Sequence, residues 1–527
     1  MCTLSCLPTI VWYSQMEQIF ERIMKPPPLL RLSASSIATL IAMALTACGG
    51  GGSSSSVSPQ TYSLSATISG LNSSGLMLMV NGTTVSVAAG ATTQALASSL
   101  ASGTSYAVTV QTQPTDLVCT VSNGSGTVGA ADVTSIVIAC VSNFTLLYSF
   151  EGPPSDGQEP LAGLIQGSDG NFFGTTEEGG TSANCFDNVN GLVLVLGCGT
   201  VFEISPSGAE SVLYSFAGGS SDGANPNMAG LFLGSDGNFY GTTVNGGASA
   251  VGTVFEITSS GTETVLHSFA GGSDGSYPAG GLIQRSDGNF YGTTEAGGSS
   301  DDGTVFMITP SGTETILHSF AGGSSDGALP FAGLILGSDG NFYGTTEEGG
   351  TNNAGTVFMI TPSGAETVLY SFGSFSGDGV NPYAVLLQGS DGNFYGTTEF
   401  GGANNVGTVF KLMPSGTETI LHSFVGGSSD GASPRAGVIQ GNDGNFYGMT
   451  FYGGTSEDGT GSSSDAGTIF KLTPSGTETI LHFFTGGSSD GAGPDGTLIQ
   501  GSDGNFYGTT ANGGISGDGT VFKLTLQ

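Results

Sequence analysis

Positive charge is almost missing from this chain. Eight Lys and Arg stand against 42 Asp and Glu in 527 residues, a net charge of −34. Beyond residue 47 the only basic residues are Arg285, Lys411, Arg435, Lys471 and Lys523. Such a surface repels phosphate backbones, which argues against nucleic acid as a partner. It equally disfavours adsorption to anionic headgroups. Histidine is scarce, at four residues, and tryptophan occurs once, at Trp12. The apolar run Leu32–Ala47 is too short for a comfortable membrane-spanning helix. Only 9% of residues are charged and 92 are Gly, a balance that can mean disorder; 38% hydrophobic residues with regularly placed aromatics argue for a packed fold instead.

What the chain does have is one phrase, repeated. Gly337-Ser-Asp-Gly-Asn-Phe-Tyr-Gly-Thr-Thr346 recurs nearly unchanged from Gly167, Gly234, Arg285, Gly389, Gly441 and Gly501. Its Asp falls at 169, 236, 287, 339, 391, 443 and 503. A period near 50 residues marks an array of supersecondary units.

Ahead of the array lie three different stretches. Residues 1–23 are read as an upstream extension, with Met24 opening an export signal: Lys25 and Arg31, then Leu32–Ala47. The run ends Leu45-Thr46-Ala47-Cys48, which resembles a bacterial lipobox and makes Cys48 the expected lipidated residue. Residues 1–47 are thus extension and signal, and 48–60, rich in Gly and Ser, a flexible tether. Residues 61–141 hold short β-branched runs at Tyr62–Ile68, Leu76–Val80, Thr83–Ala88, Tyr106–Gln111, Val118–Ser122 and Val133–Cys140, with Asn81-Gly82 as a hairpin signal. They are expected to form a small Ig-like or transthyretin-like β-sandwich. With Cys2 and Cys6 upstream and Cys48 lipidated, two sequence-local pairs remain: Cys119 with Cys140, and Cys185 with Cys198. Even pairs in an exported chain favour disulfides, and no His lies nearby to suggest zinc.

Each copy from residue 143 onward carries four apolar runs: b (Leu334-Ile335), c (Asn341–Thr346), d (Thr356–Ile360) and a (Glu366–Phe372) in copy four. Tight turns at Ser338-Asp-Gly-Asn341 and Pro362-Ser-Gly364 demand antiparallel neighbours. Adjacent apolar residues such as Phe342-Tyr343 and Val357-Phe358 point to opposite faces, so both faces of each sheet are buried. Seven such sheets predict an all-β, seven-bladed β-propeller over 143–527. Gly344 is expected to let neighbouring backbones approach. The array opens on a run a (Thr145–Phe150) and ends on a run d (Thr520–Leu524), so the N-terminal strand is expected to complete the last blade.

The phrase SDGNFYGTT…GG…GTVFKLTPSGTETILHSF resembles the GloVer tandem repeat of bacterial surface proteins over about 143–527. The resemblance implies a surface-attached, propeller-like protein and no particular activity. Copy one departs from it with Phe173 and the insert Thr181–Gly199, and copy six with the loop Thr455–Gly467.

Candidate chemistry is thin. His267, His318, His422 and His482 share one place in run a with Tyr148, Tyr214 and Tyr370, which reads as a packing slot with a polar tip. Gly219-Ser-Ser-Asp-Gly223 and its copies satisfy G-x-S-x-G, but four copies in links of an all-β array make no nucleophile elbow. The link residues Asp156, Asp222, Asp274, Asp326, Asp378, Asp430 and Asp490 each precede Gly. Turn chemistry accounts for them; the sharper reading is Ca2+ bound through carboxylate and carbonyl oxygens. With Glu177, Glu178, Glu295, Glu347, Glu348 and Glu399 they give the face of long loops a negative field, where a ligand is expected near the insert or the copy-six loop. No catalytic residue and no firm metal or cofactor site is assigned. The sequence therefore points to a monomeric, exported, lipid-anchored envelope or cell-surface protein, attached to the membrane through its N-terminal lipid. Its array would bind glycan or protein; the alternative is a polysaccharide-active hydrolase or lyase on the same scaffold.

Overall fold

Each repeat folds into one four-stranded antiparallel sheet, and the aromatic pair at its centre explains why. In copy four the strands are Ile335–Leu336, Phe342–Thr346, Thr356–Ile360 and Glu366–Ser371, in the spatial order b-c-d-a. Run b is thus two residues long and shifted by one from the sequence reading; run d is as expected. The computed structural model describes residues 60–526, apart from 115, 190–191, 227, 229 and 455–465. Among the described residues seven sheets of this order are present, at Ile165–Ser215, Phe232–Ser268, Ile283–Ser319, Ile335–Ser371, Leu387–Ser423, Ile439–Phe483 and Ile499–Leu524. The seventh takes its fourth strand from Phe144–Ser149, which pairs antiparallel with Thr520–Leu524.

Adjacent aromatics do face opposite ways. Tyr240 packs on Phe290 of the next sheet at 4.2 Å between ring centroids, Tyr291 on Phe342 at 4.4 Å, Tyr343 on Phe394 at 4.2 Å, Tyr395 on Phe446 at 4.2 Å and Tyr447 on Phe506 at 4.3 Å. Copy one uses Phe173 against Phe239 at 4.4 Å, and Tyr507 returns to Phe172 at 4.1 Å. The belt therefore closes: sheet seven packs on sheet one. Each such pair adds about 0.5–1.5 kcal/mol beyond the area it buries. A hydrogen bond joins the same ends, from Ser502 N to Gln166 Oε1 at 2.9 Å, equivalent to Ser338 N to Gln388 between sheets four and five.

The Gly after each aromatic pair has a different reason from the expected one. A Cβ on Gly344 would stand 2.6 Å from the ring tip of Phe358 and 3.0 Å from Leu334. Phe358 is its cross-strand partner. The Gly makes room for an aromatic ring of its own sheet, not for a neighbouring backbone.

A bulge falls in the d-a pairing of every sheet, between residues equivalent to Val357 and Phe358. Bulges re-aim the side chains beside them, and here the side chain is the shared His or Tyr. Outside the sheets, the link and the c-d loop pair in two-residue ladders such as Gly327–Ala328 with Glu348–Gly349. These short ladders, built on Gly in tight turns, left no periodic pattern to read.

Residues 61–142 form two further four-stranded sheets around a core of Leu64, Leu78, Val108, Ile136 and Ile138. Thr93–Ala101 is a strand there that its Ala/Ser composition concealed. Cys119–Cys140 and Cys185–Cys198 are disulfides, the second tying the insert, whose Phe186–Val189 and Leu192–Val195 make an unforeseen hairpin. Among the described residues no helix is long and apolar enough to cross a membrane. The signal, Cys48 and the tether up to residue 59 lie outside the described residues.

Candidate functional site

Two places on each sheet carry chemistry. The first is at the outer strand. The link Asp is folded into its own turn: after sheet one, Asp222 Oδ2 accepts from Ala217 N at 2.6 Å and from the Tyr214 hydroxyl at 2.9 Å, while Oδ1 accepts from Gly223 N at 2.7 Å. Asp156 and Asp378 repeat this with Tyr148 and Tyr370. The first Glu of the next sheet's run a faces the same group. Burial, then the nearby Asp222, pushes Glu263 up to about 7; Glu210 and Glu418 are raised to about 7 by burial and by Asp156 and Asp378. In sheets two, three and five His replaces Tyr, giving His267–Asp274–Glu314, His318–Asp326–Glu366 and His422–Asp430–Glu478. At the closing sheet the Glu position is taken by Phe144, which stacks on His482 at 4.0 Å. Its carboxylate comes from Asp116, far off in the sequence, 3.1 Å from His482 Nδ1, while Nε2 meets Asp490 at 3.2 Å.

The second place is central. All seven sheets line one cavity of about 430 Å³. Its wall is the short stretch leading from the link proline into strand b. In five copies the first Thr of Gly-Thr-Thr braces that stretch on the next sheet, as where Thr345 Oγ1 donates to Ala384 O at 3.2 Å, Thr397 to Ala436 at 2.9 Å and Thr509 to Ala162 at 2.8 Å; Thr175 makes no such bond and the sixth copy has Met449 there. The residue after the proline then projects a different group from each copy: Leu161, Ala279, Phe331, Tyr383, Arg435 and Asp495. Copy two, one residue longer here, contributes Met228.

These groups interlock. Phe331 and Tyr383 stack at 4.3 Å with 24° between planes. Arg435 Nε donates to Glu399 Oε1 at 3.0 Å, its Nη1 lies 3.8 Å from Asp495 Oδ2, and its guanidinium covers the Phe451 ring at 4.1 Å. Asp495 is 6% exposed, and its Oδ1 has no hydrogen-bond partner. Burial pushes its carboxyl up to about 7; Arg435 opposes this, and the charges of Glu399 and Glu177 add to it. Burial and then Glu159 likewise raise Glu177 to about 7. Burial, with the charges of Glu399, Glu348 and Glu295, raises Glu347.

The model of the Gloeobacter/Verrucomicrobia repeat matches residues 106–337 and 323–460. The chain belongs to this family. The match begins before the first sheet and stops short of the seventh, whereas the sequence phrase runs over about 143–527. No significant relative was found among curated proteins. Among solved structures the repeat chain is similar to the extracellular domain of a hybrid two-component system from B. thetaiotaomicron, with 13% identity and a TM-score of 0.45. That match covers 77% of this chain but only 44% of the other. It is also similar to the periplasmic gluconolactonase of Pseudomonas aeruginosa (17% identity, TM-score 0.40, covering 61% and 84%) and to the PQQ-bound aldose sugar dehydrogenase of Streptomyces coelicolor (15%, 0.37, covering 58% and 95%).

Within this repeat chain the residues expected to make a negative loop face divide. The link Asp residues spend their oxygens on their own turns, and Asp156, Asp222, Asp378, Asp430 and Asp490 are buried. Glu178 and Glu348 lie in the link ladders. Glu295 and Glu399, with Glu177 and Glu347, stand directly after the Thr pair, and Glu399 reaches the central cluster. The carboxylate-and-His groupings at the outer strands are able to hold a metal ion. The central cluster itself was missed. A signal existed: aligning the copies on the link proline exposes one column that changes in every copy.

Proposed function

We propose that the chain is an exported, lipid-anchored seven-bladed β-propeller that binds a saccharide in its central cavity. The observation that carries this is the diversified column. Copies alike almost everywhere else differ at the one position that meets in the cavity, and packing alone gives no reason to vary it. The groups present suit a sugar: a half-buried Phe331–Tyr383 pair offers a flat apolar face, and Arg435, Asp495 and Glu399 offer directed donors and acceptors. The cavity volume is in the range of small-ligand sites. Two disulfides support export, and the lipobox at Cys48 supports the anchor; Cys48→Ser is expected to release the protein from membranes and to abolish fatty-acid labelling.

A second reading, a polysaccharide-active hydrolase, is favoured by Asp495. A carboxyl raised to about 7 keeps a large share of its proton at neutral pH, as a general acid must, with Glu399 in the same cluster. One experiment separates the two. The chain is screened on a glycan and polysaccharide array, scoring both retention and release of reducing ends. Retention lost in Tyr383→Ala, with no cleavage, supports binding. Cleavage lost in Asp495→Asn supports hydrolysis. Neither activity on any saccharide overturns both readings.

A further inference from the structure

We propose that three of the outer-strand clusters, His267–Asp274–Glu314, His318–Asp326–Glu366 and His422–Asp430–Glu478, are binding sites for a divalent first-row transition ion such as Zn2+. In each, one donor atom from His, Asp and Glu lies within 4.8 Å of the other two. The separations are informative. His267 Nε2 to Asp274 Oδ2 and His318 Nε2 to Asp326 Oδ2 are 3.4 Å; His422 Nε2 is 3.7 Å from both Asp430 Oδ2 and Glu478 Oε2. These are long for hydrogen bonds. The 3.4 Å separations match the edge of a tetrahedron whose centre lies ~2.0–2.2 Å from each N or O ligand, and the 3.7 Å ones are slightly longer than that edge.

A second observation points the same way. Nε2 of His267, His318 and His422 is buried with no hydrogen-bond partner. Buried polar atoms are almost always paired, so a threefold repetition of the same orphaned nitrogen needs a reason. A bound cation supplies one.

The molecule also contains its own controls. Where Tyr replaces His, the hydroxyl makes a true bond to the link Asp at 2.9 Å. Where Phe144 replaces the Glu, both nitrogens of His482 are satisfied, at 3.1 and 3.2 Å. What sets the His-containing clusters apart is the His nitrogen, left without a partner at 267, 318 and 422, whereas Glu Oε1 is unpaired in the Tyr sets too, at Glu210, Glu263 and Glu418. The Asp is held by its own turn: Oδ1 of Asp326 and of Asp430 accepts from the following Gly N at 2.7 Å, and Oδ2, the oxygen on the His side, accepts from Ala321 N at 2.9 Å and from Val425 N at 2.7 Å, with its second lone pair left for an ion. Side chains 16–19% exposed at the three His leave a route for the ion. An imidazole among the donors selects against Ca2+, which takes oxygen ligands, and for Zn2+ and its neighbours.

The test is a titration of the tag-free, chelator-stripped full chain with Co2+, read by its visible d–d absorption and by metal content after gel filtration. Three equivalents are expected to depend on these clusters. His267→Tyr, His318→Tyr and His422→Tyr should each remove one, and the triple variant all three, whereas His482→Tyr should remove none. Tyr is the residue other copies carry at this position, so the sheets accommodate it; Glu366→Gln, expected to remove one equivalent, is the check if a His variant unfolds. Excess Ca2+ should not displace the Co2+. A count that stays constant in the triple variant, or displacement by Ca2+, overturns the assignment.

Discussion

The inner and outer ends of the seven sheets have been built by opposite rules. At the outer strand one slot alternates between only two residues, His and Tyr, against a fixed Asp and a Glu that is replaced only at the closing sheet, by Phe144. At the inner end one slot holds Leu161, Ala279, Phe331, Tyr383, Arg435 and Asp495, with almost no repetition. Repetition belongs to positions that make the next sheet fit. Variation belongs to a position where all sheets look at the same space. A symmetric scaffold thereby gains an asymmetric centre without loss of its packing.

The comparison holds only while the belt is closed. Deleting Asn143–Phe150 removes the fourth strand of sheet seven, together with Phe150, which is fully buried against Phe202. An open edge then replaces the Phe144–Leu524 pairing. Loss of a single cooperative unfolding transition, or association on gel filtration, is the expected outcome. An unchanged monomer with unchanged melting would mean that neither end depends on closure.

Arg435→Ala tests the centre. It leaves Asp495 and Glu399 without their cation, a loss of about 3–5 kcal/mol for a buried pair. The effect should depend on pH. Asp495 keeps its proton up to about 7 in the fold, so below that pH it can meet the loss by staying neutral. The penalty measured by denaturant unfolding is expected to be large at pH 8 and much smaller at pH 5; equal penalties would show that the pair is not electrostatic.

A third test compares both ends through protons. Glu210, Glu263, Glu418 and Asp495 are all raised to about 7 in the fold by burial first. Unfolded, they ionise near 4–4.5. Between those values the unfolded state binds fewer protons than the folded one, so stability falls as pH rises from about 4.5 to about 7 and is flat above. The melting temperature should therefore be higher at pH 5 than at pH 8. Glu263→Gln, which cannot ionise, should raise stability at pH 8 and leave it nearly unchanged at pH 5. A loss at pH 8 would mean that the ionised form is the one the fold uses.

The array was legible because its signals are local. Phe342-Tyr343 and Val357-Phe358 declare two buried faces, Asp339-Gly340 declares a turn, and the spare run at Thr145–Phe150 declares the closing strand. The disulfide pairs were legible for the same reason, each lying close in sequence. What escaped has no local signal. Asp116 meets His482 from far off in the sequence, where the closing sheet has Phe144 in place of the Glu. The ladder of Gly327–Ala328 with Glu348–Gly349 is too short for periodicity. The central column hides in links rich in Gly and Ser, where Arg435 reads as an isolated exception until Asp495 and Glu399 are brought beside it. Gly344 was read correctly as a site of close approach but with the wrong neighbour, since the sequence does not say whose ring will lie over it.

The smallest effects draw the sharpest line between the two ends. Tyr214→Phe deletes one hydroxyl bond to Asp222, which keeps its two backbone N–H partners. The cost should be about 1 kcal/mol of stability, with no change in saccharide retention. Tyr383→Phe deletes a hydroxyl at the cavity while keeping the ring stacked on Phe331. Its stability should stay within about 0.5 kcal/mol of the parent, and the loss should fall on ligand binding. Both are read by paired denaturant unfolding and array retention on the same preparations. If Tyr214→Phe alters retention and Tyr383→Phe alters only stability, the roles of the two ends are exchanged, and the repetitive slot rather than the variable one is where the molecule works.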